Sequence, residues 1–90
     1  MREVLMALVD DTARQMILLD AAIREEDTSR CMRLAHYSKG ACANLGAQSA
    51  AALFKRIETQ AGNRQFPEGQ AAFAQLVAEV ERLRSEAVSL

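Results

Sequence analysis

His36 is the only histidine in the chain, and Lys39 and Gly40 follow it at helical spacing. Imidazole is the side chain that offers a neutral nucleophilic nitrogen near pH 7, provided that one ring nitrogen is held so the other can attack. The two sulfur groups, Cys31 and Cys42, are eleven residues apart in what reads as one helix, about 16 Å of rise and far beyond disulfide reach. They are expected to be reduced, small, buried or half-buried side chains, which points to a cytoplasmic location. With one histidine, and the cysteines on other faces, no metal-ligand cluster is expected. No glycine-rich nucleotide loop is present, and 90 residues leave no room for an ATP-binding domain, so ATP-driven chemistry is not expected.

The elements that must carry His36 are helices. Alanine supplies 17 residues, against 11 for Val, Ile and Thr together, with one proline and four glycines. Helix formers therefore dominate over strand formers. Leu5, Leu8, Val9, Thr12, Met16, Leu19 and Ile23 repeat in steps of three and four over about five turns. The polar cluster 24–29 then supplies a loop and an N-cap, Asp27 or Thr28, for a second helix over about Ser29–Leu45, stopped by Gly46. Its expected buried stripe is Cys31, Leu34, Ser38 and Leu45, flanked by Ala41 and Cys42. A third helix carries Ala50, Leu53, Phe54, Ile57 and Ala61 and ends at Gly62-Asn63, with Gly62 expected as a left-handed cap. Pro67 is expected as the first residue of a fourth helix, beside Glu68, with Phe73, Leu76, Val77, Val80, Leu83 and Ala87 inward. Four amphipathic helices with short connections predict an all-α fold, an antiparallel up-down four-helix bundle forming one domain over 1–90. No apolar stretch is long enough for a transmembrane helix, and the N-terminus lacks the pattern of a secretory signal.

On the helical wheel Leu34, Ser38 and Leu45 lie roughly 160–200° from His36, so the imidazole points away from the expected core. Met32, Lys39, Gly40 and Ala43 share its side. A glycine inside a helix costs about 1 kcal/mol relative to alanine. Gly40 therefore serves either close packing of helices or the approach of another molecule to His36.

Ala35-His36-Tyr37-Ser38-Lys39-Gly40, then Asn44-Leu45-Gly46-Ala47, then Leu53 and Ile57-Glu58 resemble the histidine-containing phosphotransfer (HPt) domain family. By motif the resemblance covers about Asp27 to Glu58, and Asp27 falls where that family tends to cap the histidine helix. It implies that His36 is the phospho-acceptor and that Lys39 neutralises phosphoryl oxygens. Domains of this type in chemotaxis histidine kinases carry a glutamate matching Glu58, which hydrogen-bonds the imidazole. Glu58 would then hold Nδ1 and leave Nε2 as nucleophile, while Lys55, one turn away, adds positive charge. The alternative for both is an ordinary solvated helix edge. Where the family has an apolar residue, this chain has Ser38, whose hydroxyl is expected to return to the carbonyl of Leu34.

The formal net charge of −1 conceals a division along the chain. Residues 1–27 carry −4, residues 28–65 carry +5 and residues 66–90 carry −2. A basic face around His36 suits an acidic partner surface, whereas five net charges with one tyrosine make a poor nucleic-acid footprint. The resemblance implies a phosphorelay intermediate in two-component signalling, a phosphocarrier and not a kinase. Its expected partner is a response-regulator receiver domain, with a sensor histidine kinase as a further candidate. On that resemblance the carrier is expected to need no cofactor of its own, with Mg²⁺ supplied by the receiver. Met32, Arg33, Gly40 and Ala43 form the expected docking surface of a monomer that binds neither nucleic acid nor membrane. The rival readings are a helical scaffold without phosphotransfer and the phospho-acceptor domain of a larger histidine kinase.

Overall fold

A computed structural model describes residues 2–90. Four helices follow one another: α1 (Arg2–Arg24), α2 (Thr28–Asn44), α3 (Gln48–Gly62) and α4 (Phe66–Ser89). Among the described residues there is no strand. Each helix packs on its neighbours in a cycle, α1 against α2 and α4, and α3 against α2 and α4, with α2 and α3 the most intimate pair. The result is an antiparallel bundle 39 Å long and 18–19 Å across.

The three connections, 25–27, 45–47 and 63–65, are built alike. In each a left-handed residue, Glu26 (φ 53°), Gly46 (φ 80°) or Arg64 (φ 55°), precedes the first residue of the next helix cap. That following residue donates its N–H five residues back: Asp27 to Ala22 at 2.9 Å, Ala47 to Cys42 at 2.8 Å and Gln65 to Gln60 at 2.8 Å. This is the Schellman arrangement, which satisfies carbonyls that the helix end leaves open. Gly62 is therefore not the left-handed cap expected of it; it is the last residue of α3, and Arg64 takes the left-handed turn. Arg64 is held there by Thr28 Oγ1 at 2.9 Å, by Glu26 at 3.7 Å and by the ring of Phe66, 5.0 Å below its guanidinium. Asp27 caps α2, accepting the Arg30 N–H at 3.2 Å. Phe66 opens α4 and Pro67 is second, one place later than expected, still within the turn whose N–H groups have no helical partner.

The core follows the stripes of α1, α3 and α4, with Phe54, Leu19, Ile23, Ile57 and Leu76 its largest fully buried side chains. Val77 departs from its stripe and is 44% exposed. It lies at the outer edge of the α1–α4 seam and lines a shallow groove there. On α2 the buried residues are Cys31, Ala35, Ser38 and Cys42, while Leu34 is half-buried and Leu45 is exposed. Two causes rotate this stripe by about 40° from the expected one. Leu45 is the cap residue, already outside helical geometry, and the small side chains at 35, 38 and 42 let α2 lie close on its neighbours. Ser38 does not return its hydroxyl to Leu34: Oγ is buried without a hydrogen-bond partner. Thr12 fares better, its hydroxyl meeting the Cys42 thiol at 4.0 Å in the core.

Candidate functional site

The rotation of α2 decides what His36 faces. With the buried stripe centred near Ala35 and Ser38, His36 sits roughly 130° from the core direction, on the side that turns toward α3. Its side chain is 68% exposed, and Nδ1 lies 3.1 Å from Oε2 of Glu58 on α3. Lys39, one turn on, donates from Nζ to the other carboxylate oxygen, Oε1, at 3.2 Å. Glu58 is thus shared between an imidazole and an ammonium group, and it is itself mostly covered, with 21% of its side chain exposed. A carboxylate only accepts, so the nitrogen facing it must carry the proton. Nδ1 is then N–H, and Nε2 keeps its lone pair on the exposed side of the ring, where it makes no hydrogen bond among the described residues.

The other residues singled out by sequence fall into two groups. Met32 is 39% exposed, and its Sδ and Cε lie over Gly62 of α3, so that a Cβ at Gly62 would sit 3.5 Å from both. It spans the α2–α3 seam above His36 as a half-open apolar contact. Gly40 and Ala43 are exposed, and a Cβ built on Gly40 meets nothing within 4 Å. No neighbouring helix of this chain needs the glycine, which removes the close-packing reading. Arg33 and Lys55 are exposed and in no ion pair among the described residues. Lys55 stands one turn from Glu58 but is not brought onto the carboxylate; Lys39 takes that place.

Tyr37 is a neighbour of the site that residue spacing did not single out. Its hydroxyl donates to Oδ2 of Asp11 at 3.0 Å and ties the His36 segment of α2 to α1. The hydrogen bond to that carboxylate pushes the phenol above its ordinary range. No local pattern signals a pair 26 residues apart; only the packing of α1 on α2 creates it. Cys31 and Cys42 are free, buried thiols, and burial raises both above the usual thiol range, so they remain protonated and unreactive. Among the described residues no three His, Cys, Asp or Glu side chains gather as a metal site, and no helix is long and apolar enough to cross a membrane.

The arrangement is an exposed nucleophilic nitrogen, its partner nitrogen fixed by a carboxylate, and a lysine at hand, on a hairpin of net charge +5. Solved structures include a close relative in shape. The crystal structure of histidine-containing phosphotransfer protein B from Pseudomonas aeruginosa PAO1 superposes with a TM-score of 0.91 at 25% sequence identity, over 98% of this chain and 76% of that one. Comparison with curated proteins returns no match. The Hpt domain family matches residues 3–86, all but the ends of the chain. Fold, motif and family match agree, and the chain belongs to the Hpt domain family.

Proposed function

We propose that this protein carries a phosphoryl group on Nε2 of His36 and exchanges it with an aspartate of a response-regulator receiver domain. Histidine phosphotransfer in two-component signalling is the work of the family to which it belongs. The observation that carries the finer reading is the Nδ1–Glu58 hydrogen bond at 3.1 Å with Nε2 left free on a 68% exposed side chain.

In the forward step the Nε2 lone pair attacks the phosphorus of an aspartyl phosphate. The N–P bond forms, the P–O bond to the aspartate breaks, and that carboxylate leaves with the bonding pair. No proton is transferred, because Nδ1 keeps its own. The N-phosphorylated ring is then cationic, and the Glu58 carboxylate facing Nδ1 stabilises that charge. The reverse step passes the group to the next aspartate by the same path. Lys39 is bonded to Glu58 at rest, within reach of the same imidazole, so turning its ammonium outward would set it against the phosphoryl oxygens. Arg33 and Lys55, exposed and free of ion pairs among the described residues, add positive charge to the docking face. Met32 offers it a flexible apolar contact, while Gly40 and Ala43 leave room for a partner's backbone. Mg²⁺ would be the receiver's contribution, neutralising charge on the transferring group. A sensor histidine kinase is a second partner on this reading. The two buried, protonated thiols suit a cytoplasmic setting.

Incubation with a panel of radiolabelled phospho-receivers tests the reading. Label that is acid-labile and base-stable should appear on the wild type and be absent from His36→Gln. Failure of every receiver in the panel to transfer would refute the carrier role.

A further inference from the structure

Helix α1 carries two stripes. One is the buried stripe already described; the other, on the outside, runs Asp10, Ala13, Arg14, Ile17, Asp20, Ala21, Arg24. These positions follow the helical steps of three and four and lie within roughly 60° of Ile17 on the wheel. Ile17 at the centre is 73% exposed, more than any other large hydrophobic residue, and beside it lies a groove of about 240 Å³ floored by Met16, Phe73, Val77 and Val80. An isolated exposed isoleucine is unremarkable. Its flanks are not: read outward from Ile17, the stripe is opposite in charge at matching positions.

We infer that α1 pairs with α1 of a second copy of this chain, antiparallel about a two-fold axis at Ile17. Under that axis Asp10 meets Arg24 of the other copy, Arg14 meets Asp20, Ala13 meets Ala21, and Ile17 meets Ile17 or the adjoining groove. Each contact occurs twice, which is the requirement of a two-fold interface. Four opposite-charge contacts surround an apolar centre, and the two alanines allow the helices to approach closely. A parallel pairing would instead set Asp10 on Asp10 and Arg24 on Arg24. Within one chain the same charges pair at the surface, Arg14 with Asp11 at 3.7 Å and Arg24 with Asp20 at 2.6 Å along α1, and Asp10 with Arg84 of α4 at 3.4 Å. Exchanging such exposed pairs for pairs across the interface costs little. Helix α1 packs on α2 and α4, whereas His36 sits on the side of α2 that turns to α3, so both phosphotransfer faces stay free. The expected monomer becomes a dimer that is weak. Residues 10–24 span only about 21 Å of helix, less than the roughly 800 Å² per partner of a standard interface needs.

Sedimentation equilibrium from 10 μM to 1 mM at low salt tests this, on the full chain. The mass should climb from 9.9 kDa toward twice that value, and added salt should lower it. Asp10→Arg and Arg24→Asp, each alone, set like charges at two of the four contacts and should weaken association about tenfold. Mixed in equal amounts they restore opposite charges and should associate again. Ile17→Lys should abolish the dimer; at an exposed position it should leave the helical circular dichroism unchanged. A wild type that stays at one protomer mass at 1 mM overturns the inference. So does a dimer that the charge variants leave intact, or a mixture no better than either variant alone.

Discussion

Replacing Glu58 with glutamine keeps the length and shape of the side chain while changing one acceptor oxygen into a donor. In the native site Oε1 accepts from Lys39 at 3.2 Å and Oε2 accepts from His36 Nδ1 at 3.1 Å. Glutamine can satisfy only one of these as an acceptor. The ammonium group is the stronger claimant, since it can only donate whereas the ring can also accept, so the amide oxygen goes to Lys39 and the NH₂ group turns to the ring. Nδ1 must then accept, which moves the ring proton to Nε2 and removes the nucleophilic lone pair from the exposed side. A hydrogen bond to a charged partner contributes about 1.5–3 kcal/mol when sheltered; with a side chain 68% exposed, about 1 kcal/mol remains for the native tautomer. The reversed bond in the variant is a neutral one, about 0.5 kcal/mol in the other direction. Together they come to about 1.5 kcal/mol, roughly tenfold in the tautomer ratio, which lowers the reactive population from about 85% to about 30%, or roughly threefold. Transfer from a phospho-receiver should therefore slow about threefold at pH 8, above the ordinary imidazole range. The ¹⁵N shifts of the His36 ring should report the change from an Nδ1–H to an Nε2–H tautomer. Unaltered transfer with the tautomer inverted would sever tautomer from rate and refute the argument. So would a native tautomer that survives without the carboxylate.

Ser38→Ala removes a buried hydroxyl that has no partner and adds helix propensity, so it should stabilise the fold by about 1–2 kcal/mol, a rise of roughly 5–10 °C in Tm by calorimetry. A fall in Tm would mean that the hydroxyl is satisfied in solution. Gly40→Leu meets open space at its Cβ and should raise stability by about 0.8 kcal/mol in urea titration, yet raise the KM for a phospho-receiver at least tenfold. Stability and transfer moving in the same direction would contradict the access role. Of the two left-handed residues that are not glycine, Glu26 holds only an exposed contact with Arg64, whereas Arg64 also holds Thr28 and the Phe66 ring. Glu26→Gly should thus be more stable than Arg64→Gly by about 1 kcal/mol in the same titration, and equal stabilities would show that those contacts contribute nothing.

What the residue pattern showed and what it hid divide along a physical line. Three helices announced their inward faces because large apolar side chains mark them: Leu19 and Ile23 on α1, Phe54 and Ile57 on α3, Leu76 and Val80 on α4. Helix α2 buries alanine, serine and two cysteines, side chains too small to outweigh the nearby Leu34 and Leu45 in a hydropathy reading. Its stripe was therefore misplaced by about 40°, and with it the degree to which His36 leans toward α3. Glu58 could be placed on the edge of α3 from spacing, and opposite the imidazole only through the family resemblance. Its second bond, to Lys39, depends on the distance between two helices, which no periodicity reports. The loops were legible from their polar and glycine residues, but the left-handed turns at Glu26 and Arg64 were not, because no glycine marks them.

Those small residues on α2 also explain how the proposed site can form. Glutamate has a short reach, and Glu58 touches both His36 and Lys39 because α2 and α3 make the most extensive packing in the bundle. Ala35 and Ser38, the residues flanking His36 on its inward side, are 0% and 2% exposed. A leucine would bring about three more heavy atoms at Ala35, or about two more at Ser38, into a close-packed seam. Relief by even 1 Å of helix separation would carry the 3.1 Å contact at Nδ1 beyond hydrogen-bonding distance. Ser38 therefore has a coherent place despite its unpartnered hydroxyl: it is small enough for the approach, and the stability it forfeits is spread over the whole fold, whereas the proton it indirectly secures sits on the ring proposed to react. Alanine at 38 should retain the approach and recover the stability, while leucine should lose the tautomer control that glutamine at 58 loses by chemistry. Matching ¹⁵N signatures in Ser38→Leu and Glu58→Gln would establish that helix packing and ring tautomer are one coupled property. A native signature in a folded Ser38→Leu would separate them.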